Sequence, residues 1–324
     1  ELVRDLRSNF GYITKDFDTF ALDCGSGTFE KFIRQGDYDY ILNLSAMKHV
    51  RSENDPYSME RMLQCNLFNV LKTYESGVLS GIKKYFCVST DKAANPANFM
   101  GATKRAMELC LMRADREVNI SGARFANVAF SNGSLLSGFL SRLEKQQPLS
   151  LPNDIERFFI SSEEAGIVCL FSAILGEHNQ IFFPYNDKEV RLTSFKDVAI
   201  NLLKYLGKEA VFCSSEKEAR ELVNKLDLEK YWPINTFNSD TAGEKPFEEF
   251  YTSQEELHYE KFQELAFVNF MPEKTNSEVN DFLKSIDKID CSGTTARAQY
   301  LECLMGFIPN FDYAYSDRFL NSRM

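Results

Sequence analysis

The chain has 324 residues, a formal net charge of −10 and an apolar content of 44%. A chain of this length can bury a sizeable core, and this composition is ordinary for a globular enzyme. The acidic balance, with no run of Lys and Arg, disfavours a nucleic-acid-binding protein. The longest apolar stretch, residues 165–176, is shorter than the roughly 20 residues of a membrane-spanning helix, so we expect a cytoplasmic protein.

The cysteines and histidines give no sign of a metal site or a disulfide framework. Eight cysteines are scattered without a Cys-x-x-Cys pair, and some, such as Cys87 and Cys110, lie in apolar runs. The three histidines are far apart and do not have the spacing of zinc ligands. We therefore expect reduced thiols and no metal ion.

Short β-rich runs alternate with helical stretches over the first 125 residues. The patterns predict four strands, Asp18–Asp23, Tyr38–Leu44, Lys84–Thr90 and Val118–Phe125. Between them they predict three helices, Phe29–Gln35, Ser58–Gly77 and Asn98–Arg116. This alternation is typical of a parallel, doubly wound α/β sheet, in which ligands bind beyond the carboxyl ends of the strands.

The regular alternation of strands and helices ends after residue 134, where helices mix with short strands. We therefore expect two domains. Residues 1–130 form the doubly wound sheet, and residues 131–324 form a smaller α/β domain with a helical C-terminal region.

One glycine-rich turn requires an interpretation. A dinucleotide-binding fold normally opens with a strand, the pattern G-x-G-x-x-G and a helix, because backbone amides must approach the pyrophosphate closely. Only Cys24-Gly25-Ser26-Gly27 resembles that loop, and it lacks the third glycine, so we favour a tight turn. Asp23 either accepts a hydrogen bond from an adenine amino group or caps the next helix, and both roles stay open.

The sequence opens at Glu1 inside an amphipathic helical pattern, ELVRDLR. A natural domain rarely starts in the middle of a helix. We therefore expect that the first strand and the glycine loop of the fold precede this sequence.

One predicted strand–loop–helix unit carries a group of chemically useful residues. Thr90, Asp91 and Lys92 end a strand, and Met100 and Lys104 are four residues apart, which places them on one helix face. Each of these residues alone has an ordinary structural explanation. Met100 would pack in the core, Lys104 would be a surface lysine, and Asp91 and Lys92 would be a solvated pair. Their joint placement favours a catalytic site in one cleft.

Five segments make the sequence recognisable: LNLSAMKHVRSENDP, YFCVSTDKAANPANFMGATKR, ARFANVAFSNGSL, ERFFIS and TAGEKPFEEFYT. They resemble the polysaccharide-biosynthesis branch of the nucleotide-sugar 4,6-dehydratases, within the extended short-chain dehydrogenases. Members of this branch have Tyr or Met at the position of Met100, and Met cannot move a proton. The resemblance implies a Rossmann-like fold, NAD or NADP as cofactor, UDP-N-acetylglucosamine or a related UDP-sugar as substrate, and a homo-oligomer. The first domain would bind the dinucleotide and the second the substrate.

The resemblance also implies a role for each matching residue. Asp91 would be the acid and Lys92 the base of the elimination. Thr90 would hydrogen-bond the oxygen on carbon 4 of the sugar, and Lys104 would hold the cofactor ribose. The other residues expected to line the cofactor are Asp23, Cys24, Leu44, Ser45, Ala46, Asn66, Ser89 and Phe125. Those expected to contact the sugar nucleotide are Lys48, Asn127, Ser134, Arg157 and Glu244.

Two other functions stay open. A 4-epimerase or reductase on the same scaffold needs hydride transfer but no elimination acid and base, so the Asp91–Lys92 pair disfavours it. A non-catalytic nucleotide-sensing protein would explain the missing tyrosine and the missing glycine loop. The sequence decides neither between NAD and NADP nor the configuration at carbon 5.

Overall fold

Helices and strands alternate along the chain in the computed structural model, which describes residues 2–13, 15, 17–48, 53, 55–113, 115–125, 127–185, 192–238, 249–311 and 313. Numbered in chain order, the helices are α1 (Leu2–Phe10), α2 (Gly27–Gln35), α3 (Pro56–Leu63), α4 (Asn69–Ser80), α5 (Phe99–Leu111), α6 (Leu135–Glu144), α7 (Ser162–Leu175), α8 (Phe195–Tyr205), α9 (Glu216–Val223), α10 (Asn276–Asp287) and α11 (Ala296–Phe307). The strands are β1 (Tyr40–Asn43), β2 (Lys84–Thr90), β3 (Asn119–Phe125), β4 (Asn127–Val128), β5 (Leu149–Pro152), β6 (Glu156–Arg157), β7 (Phe159–Ile160), β8 (Gln180–Pro184), β9 (Thr193–Ser194), β10 (Glu209–Cys213), β11 (Tyr231–Phe237), β12 (Leu257–His258) and β13 (Leu265–Asn269).

The larger sheet has six strands in the order β1-β2-β3-β8-β13-β12. The first four strands are parallel, and β13 and β12 run antiparallel at one edge. The register sets Thr90 beside Phe125, so the carboxyl ends of β2 and β3 lie together. The predicted Rossmann-like α/β sheet is therefore confirmed, with an antiparallel edge added to it.

A smaller sheet has three parallel strands in the order β10-β11-β5, against which α6, α8 and α9 pack. The predicted boundary at residues 130 and 131 does not separate the two sheets. Strands β8, β12 and β13 follow that boundary in sequence but join the larger sheet. Helix α11 likewise returns to pack against α5 and α3. The chain therefore crosses between the two sheets more than once.

Most predicted elements are present with shifted ends. The predicted helix Ser58–Gly77 is divided into α3, a π-helical turn over Gln64–Phe68, and α4, which ends at Gly81 with φ of 83°. The helix predicted to reach Arg116 ends at Leu111, because Met112 leaves the helical conformation. The strand predicted at Asp18–Asp23 is wrong. Residues 17–23 form no ladder because no described strand lies beside them, and β1 is the edge of the sheet.

Helix α5 lies at the centre of the larger core, and all thirteen of its residues are buried. Helices α3, α4 and α11 pack against it, and α11 is braced by α10 through stacked Phe282 and Phe307 rings whose centroids are 3.9 Å apart. Close packing on this scale fixes the position of a helix tightly. None of the described helices is long and apolar enough to cross a membrane.

Candidate active site

The turn that follows β2 holds Thr90, Asp91 and Lys92. Asp91 is buried, and three donors converge on its Oδ1 atom: the Thr90 hydroxyl at 2.8 Å, the Lys92 amide at 2.9 Å and Lys92 Nζ at 3.1 Å. Within the described part of the chain, Oδ2 of Asp91 accepts no hydrogen bond. One carboxylate oxygen is thus fixed and the other remains available to an incoming group.

The first turn of α5 is capped by two side chains. The Asn98 side chain accepts from the Gly101 amide at 2.8 Å, while Glu53 accepts from the Phe99 amide at 3.1 Å and the Met100 amide at 3.0 Å. These are three of the amides that a helix N-terminus leaves without an intrahelical partner. The contribution of Glu53 was not predicted from the sequence.

Gly101 allows this turn of α5 to touch the loop that carries Asp91 and Lys92. A Cβ atom at Gly101 would lie 2.5 Å from the carbonyl oxygen of Lys92, which is closer than real Cβ atoms approach a backbone atom. The position of Lys92 is therefore set directly by the position of the α5 backbone.

Met100 and Lys104 lie one turn apart on α5 but have different environments. The Met100 side chain is 5% exposed and belongs to the larger core, so packing accounts for it. Lys104 is buried, and its Nζ donates to the Val88 carbonyl at 3.1 Å and lies 3.9 Å from the Met107 sulfur. Burial lowers the pKa of Lys104. With one carbonyl and one weak sulfur acceptor, this ammonium retains capacity to donate to a bound hydroxyl.

Asn66 lies in the π-helical turn between α3 and α4. Its side chain accepts from the Met47 amide at 2.8 Å, donates to the Met47 carbonyl at 2.9 Å, and also donates to the Thr103 hydroxyl of α5 at 3.0 Å. Single π-turns often mark functional sites because they re-aim side chains. Here the turn ties the loop after β1 to α5.

The loop after β1 and the glycine turn meet at Ser45 and Cys24. The Ser45 hydroxyl donates to Asn43 Oδ1 at 2.6 Å, and Cys24 Sγ lies 3.9 Å from that hydroxyl. Leu44 is 57% exposed, and Ala46 is also exposed. These side chains therefore lie at the carboxyl end of β1, where the sequence predicted a cofactor surface.

The turn Cys24–Gly27 uses its amides internally. The Gly25 amide donates to Asp23 Oδ1 at 2.8 Å, and the Ser26 amide donates to the Asp23 carbonyl at 2.9 Å. Ser26 caps α2 by accepting from the Phe29 amide, so Asp23 closes the turn and does not cap the helix. This arrangement favours the tight turn over a phosphate-binding loop.

The expected substrate residues lie around the start of α6 and the β6–β7 segment. Lys48 Nζ donates to the Ser131 hydroxyl at 3.2 Å, and burial lowers the pKa of Lys48. Asn127 has a buried Nδ2 atom with no hydrogen-bond partner in the described chain, which suits a ligand acceptor. Ser134 caps α6, and Arg157 is buried and donates to the Glu156 carbonyl. Glu244 lies outside the described residues.

The profile of a family described as "Polysaccharide biosynthesis protein" matches residues 25–269. The chain belongs to this family. It is 28% identical over 200 residues to the capsular polysaccharide biosynthesis protein CapD of Staphylococcus aureus, which covers 58% of this chain and 33% of that protein. The chain thus spans a third of the length of that relative. It is 26% identical over 235 residues to a UDP-N-acetylglucosamine 4,6-dehydratase (inverting) of Campylobacter jejuni, covering 64% of this chain and 68% of that enzyme.

A solved structure shares the fold. The X-ray structure of Pen from Bacillus thuringiensis matches with a TM-score of 0.64 at 20% identity, covering 83% of this chain and 76% of that one. At such identity the likeness shows the arrangement of strands and helices alone.

A buried ionic network lies beside the end of β2 in this family member. Arg124 of β3 binds Glu108 of α5 at 2.8 Å and Glu255 at 2.7 Å, and Arg105 also reaches both carboxylates. The Ser89 hydroxyl donates to Glu108 at 2.6 Å, so Ser89 faces this network. Phe125, at the end of β3, packs partly buried against a small core that contains Phe86. A charged residue within the apolar strand ISGARF is the only sequence signal for the network.

Proposed function

We propose that this protein is a UDP-N-acetylglucosamine 4,6-dehydratase, which forms a UDP-4-keto-6-deoxy-N-acetylhexosamine for a surface polysaccharide or glycan. The observation that carries the proposal is the Asp91–Lys92 pair, joined at 3.1 Å at the carboxyl end of a central parallel strand. Ligands of such sheets bind beyond this edge. A 4-epimerase needs no such pair, whereas an elimination needs both an acid and a base.

Lys92 and Asp91 would have different roles in the elimination, as base and acid. Lys92, as the neutral amine, would take the proton from carbon 5, and its side chain is 18% exposed. Asp91 would protonate the hydroxyl that leaves from carbon 6, using Oδ2, since Oδ1 is already bound by three donors. Asp91 would hold the proton that the hydroxyl on carbon 4 loses during the preceding oxidation. Water then leaves across carbons 5 and 6, which leaves Asp91 ionised and Lys92 protonated. Lys92 would return a proton to carbon 5 as hydride reaches carbon 6, so both residues regain their starting state.

Thr90 and Lys104 suit the oxidation that must precede elimination. A ketone at carbon 4 is required, because it acidifies the proton on carbon 5. Thr90 would hydrogen-bond the oxygen on carbon 4, and Lys104 would hold the ribose of NAD or NADP with the donor capacity that Val88 and Met107 leave over. When bound, the cofactor would supply a reversible hydride acceptor for this oxidation and for the later reduction at carbon 6. Met100 takes no part in proton transfer, so the proton of the hydroxyl on carbon 4 would pass to the Asp91 carboxylate, which lies 2.8 Å from the Thr90 hydroxyl. The nearby charge of Lys104 would favour the alkoxide.

Cationic and amide donors would hold the diphosphate and the sugar. Lys48 and Arg157 supply positive charge, and the unpartnered Nδ2 atom of Asn127 supplies a directed donor. An arginine suits a diphosphate because its fork donates two parallel hydrogen bonds.

Product analysis tests this proposal. The purified protein is incubated with UDP-N-acetylglucosamine and with NAD or NADP, and the sugar product is identified by NMR. A 4-keto-6-deoxy sugar is expected. Recovery of UDP-N-acetylgalactosamine would make the protein a 4-epimerase, and binding of the UDP-sugar without any product would make it a sensor.

A further inference from the structure

Glu53 lies at the start of the helix that carries Lys104, yet it belongs to none of the predicted site residues. Its carboxyl group is 3% exposed and receives the Phe99 amide on Oε2 at 3.1 Å and the Met100 amide on Oε1 at 3.0 Å. Each carboxyl oxygen therefore accepts a hydrogen bond from the first turn of α5. A carboxylate at this place also complements the positive end of the helix dipole.

The other side of Glu53 faces the C-terminal part of the chain. The Tyr313 hydroxyl hydrogen-bonds the carboxyl group, and the Arg297 charge acts on it from α11. Arg297 also donates to the Glu53 carbonyl at 3.4 Å and to the Tyr313 hydroxyl at 3.4 Å. Arg297 and Tyr313 lie beyond residues 25–269, the part that the family profile matches. Elements outside the family match thus reach the first turn of α5 through Glu53, in addition to the direct packing of α11 against α5.

We infer that Glu53 is a positioning residue through which the C-terminal elements hold the first turn of α5 against the catalytic loop. The turn is in contact with that loop, because the Gly101 backbone lies against the Lys92 carbonyl. A shift of a few tenths of an ångström in the turn displaces Lys92 as well. The catalytic part of this inference rests on the proposed function, whereas the capping part does not.

The charge of Glu53 changes in the physiological range. Burial raises the pKa of Glu53 to about 7, against the lowering effects of the Met100 and Phe99 amides, the Tyr313 hydroxyl and Arg297. The ionised carboxylate accepts from both amides at once. The protonated acid places a hydrogen on one of those oxygens and weakens one of the two bonds. The first turn is therefore held best above neutral pH, and turnover rises with pH through about 7.

The test compares wild type with Glu53→Gln and with a matched control, Glu164→Gln. Glu164 also accepts a backbone amide at a helix start, in the capping box of α7, but it is exposed and far along the chain from the first turn of α5. Glu53→Gln keeps the shape but turns an N–H donor towards one amide. Deuterium exchange of the amides in residues 99–102 should speed up about 10-fold, as for the loss of one charge-assisted hydrogen bond. The control should leave this exchange unchanged.

Kinetics supply the second readout. In Glu53→Gln, kcat for dehydration should fall about 10-fold with KM within about 2-fold, and the rise of kcat near pH 7 should disappear. In Tyr313→Phe, a hydrogen bond that lowers the pKa of Glu53 is lost, so the rise should move to higher pH.

The outcomes separate the two claims. Unchanged exchange at residues 99–102 in Glu53→Gln overturns the capping role whether or not the enzyme dehydrates its substrate. A lower melting temperature with unchanged kcat and an unchanged pH profile shows an ordinary structural residue and overturns the positioning role. If wild type forms no dehydrated sugar, the proposed function fails, and the exchange measurement still decides whether Glu53 caps α5.

Discussion

Replacement of Arg124 by Met should be among the most destabilising single changes in this protein. The Arg124 side chain is fully buried and binds Glu108, Glu255 and the Phe250 carbonyl. Removing one partner of a buried ion pair costs roughly 3–5 kcal/mol, because it leaves an uncompensated buried charge. The pKa of Glu255 gives a second measure. Burial alone would raise it, but Arg124 and Arg105 hold it at about 2 instead of 4.5. At about 1.4 kcal/mol per pKa unit, this stabilises the folded protein by about 3 kcal/mol.

The sign of the pH dependence follows from the lowered pKa of Glu255. Its stabilisation is present above pH 4.5 and is lost as the pH falls through about 2. Urea unfolding of wild type and Arg124→Met should therefore differ by about 3–5 kcal/mol at neutral pH, and the difference should shrink by roughly 1 kcal/mol near pH 4. Arg220→Met is the control, because Arg220 pairs with Glu216 at 2.9 Å on an exposed helix face and should lose under about 1 kcal/mol. A loss for Arg124→Met that matches the control, or that does not change with pH, would refute this reasoning.

Two further predictions concern the catalytic turn. Asp91→Asn should lower the rate of dehydration by about 10²–10⁴-fold while leaving UDP-sugar binding in calorimetry near that of wild type, because Asn keeps the shape but donates no carboxyl proton; near-wild-type turnover would reduce the pair to a structural salt bridge. Gly101→Ala should cost about 1–3 kcal/mol in thermal unfolding, since its Cβ would lie 2.5 Å from the Lys92 carbonyl. Gly166→Ala, in α7 with nothing within 4 Å of the added Cβ, should instead gain up to about 1 kcal/mol; equal effects of the two changes would contradict the close approach.

Local sequence patterns predicted those site residues that lie on β2, on the turn after it and on α5. The β-rich run KYFCVST predicted the bounds of β2, and the spacing of Met100 and Lys104 placed both on one helix. These predictions succeeded because the relevant contacts join residues close in sequence. The spacing placed Met100 on the same face of α5 as Lys104, but it did not predict that the Met100 side chain is buried in the core.

The remaining features depend on contacts between distant residues. Glu53 meets Met100 across 47 positions, and Arg124 meets Glu255 across 131, so no local pattern announces either contact. The predicted strand Asp18–Asp23 has β propensity but no neighbour, and a strand is stable only when its backbone groups are paired. The return of β8 and β13 to the larger sheet likewise depends on contacts between distant residues, which no local pattern shows.

The central claim is that Asp91 and Lys92 perform an elimination, and deuterium incorporation at carbon 5 tests it most directly. Wild type and Lys92→Met are incubated with UDP-N-acetylglucosamine and cofactor in deuterated water, and the recovered sugars are analysed by NMR. Wild type should give a 4-keto-6-deoxy sugar with deuterium at carbon 5, because the base exchanges with solvent. Lys92→Met should bind the UDP-sugar yet leave carbon 5 without deuterium. Full deuteration and dehydration by Lys92→Met would contradict the assignment of Lys92 as the base.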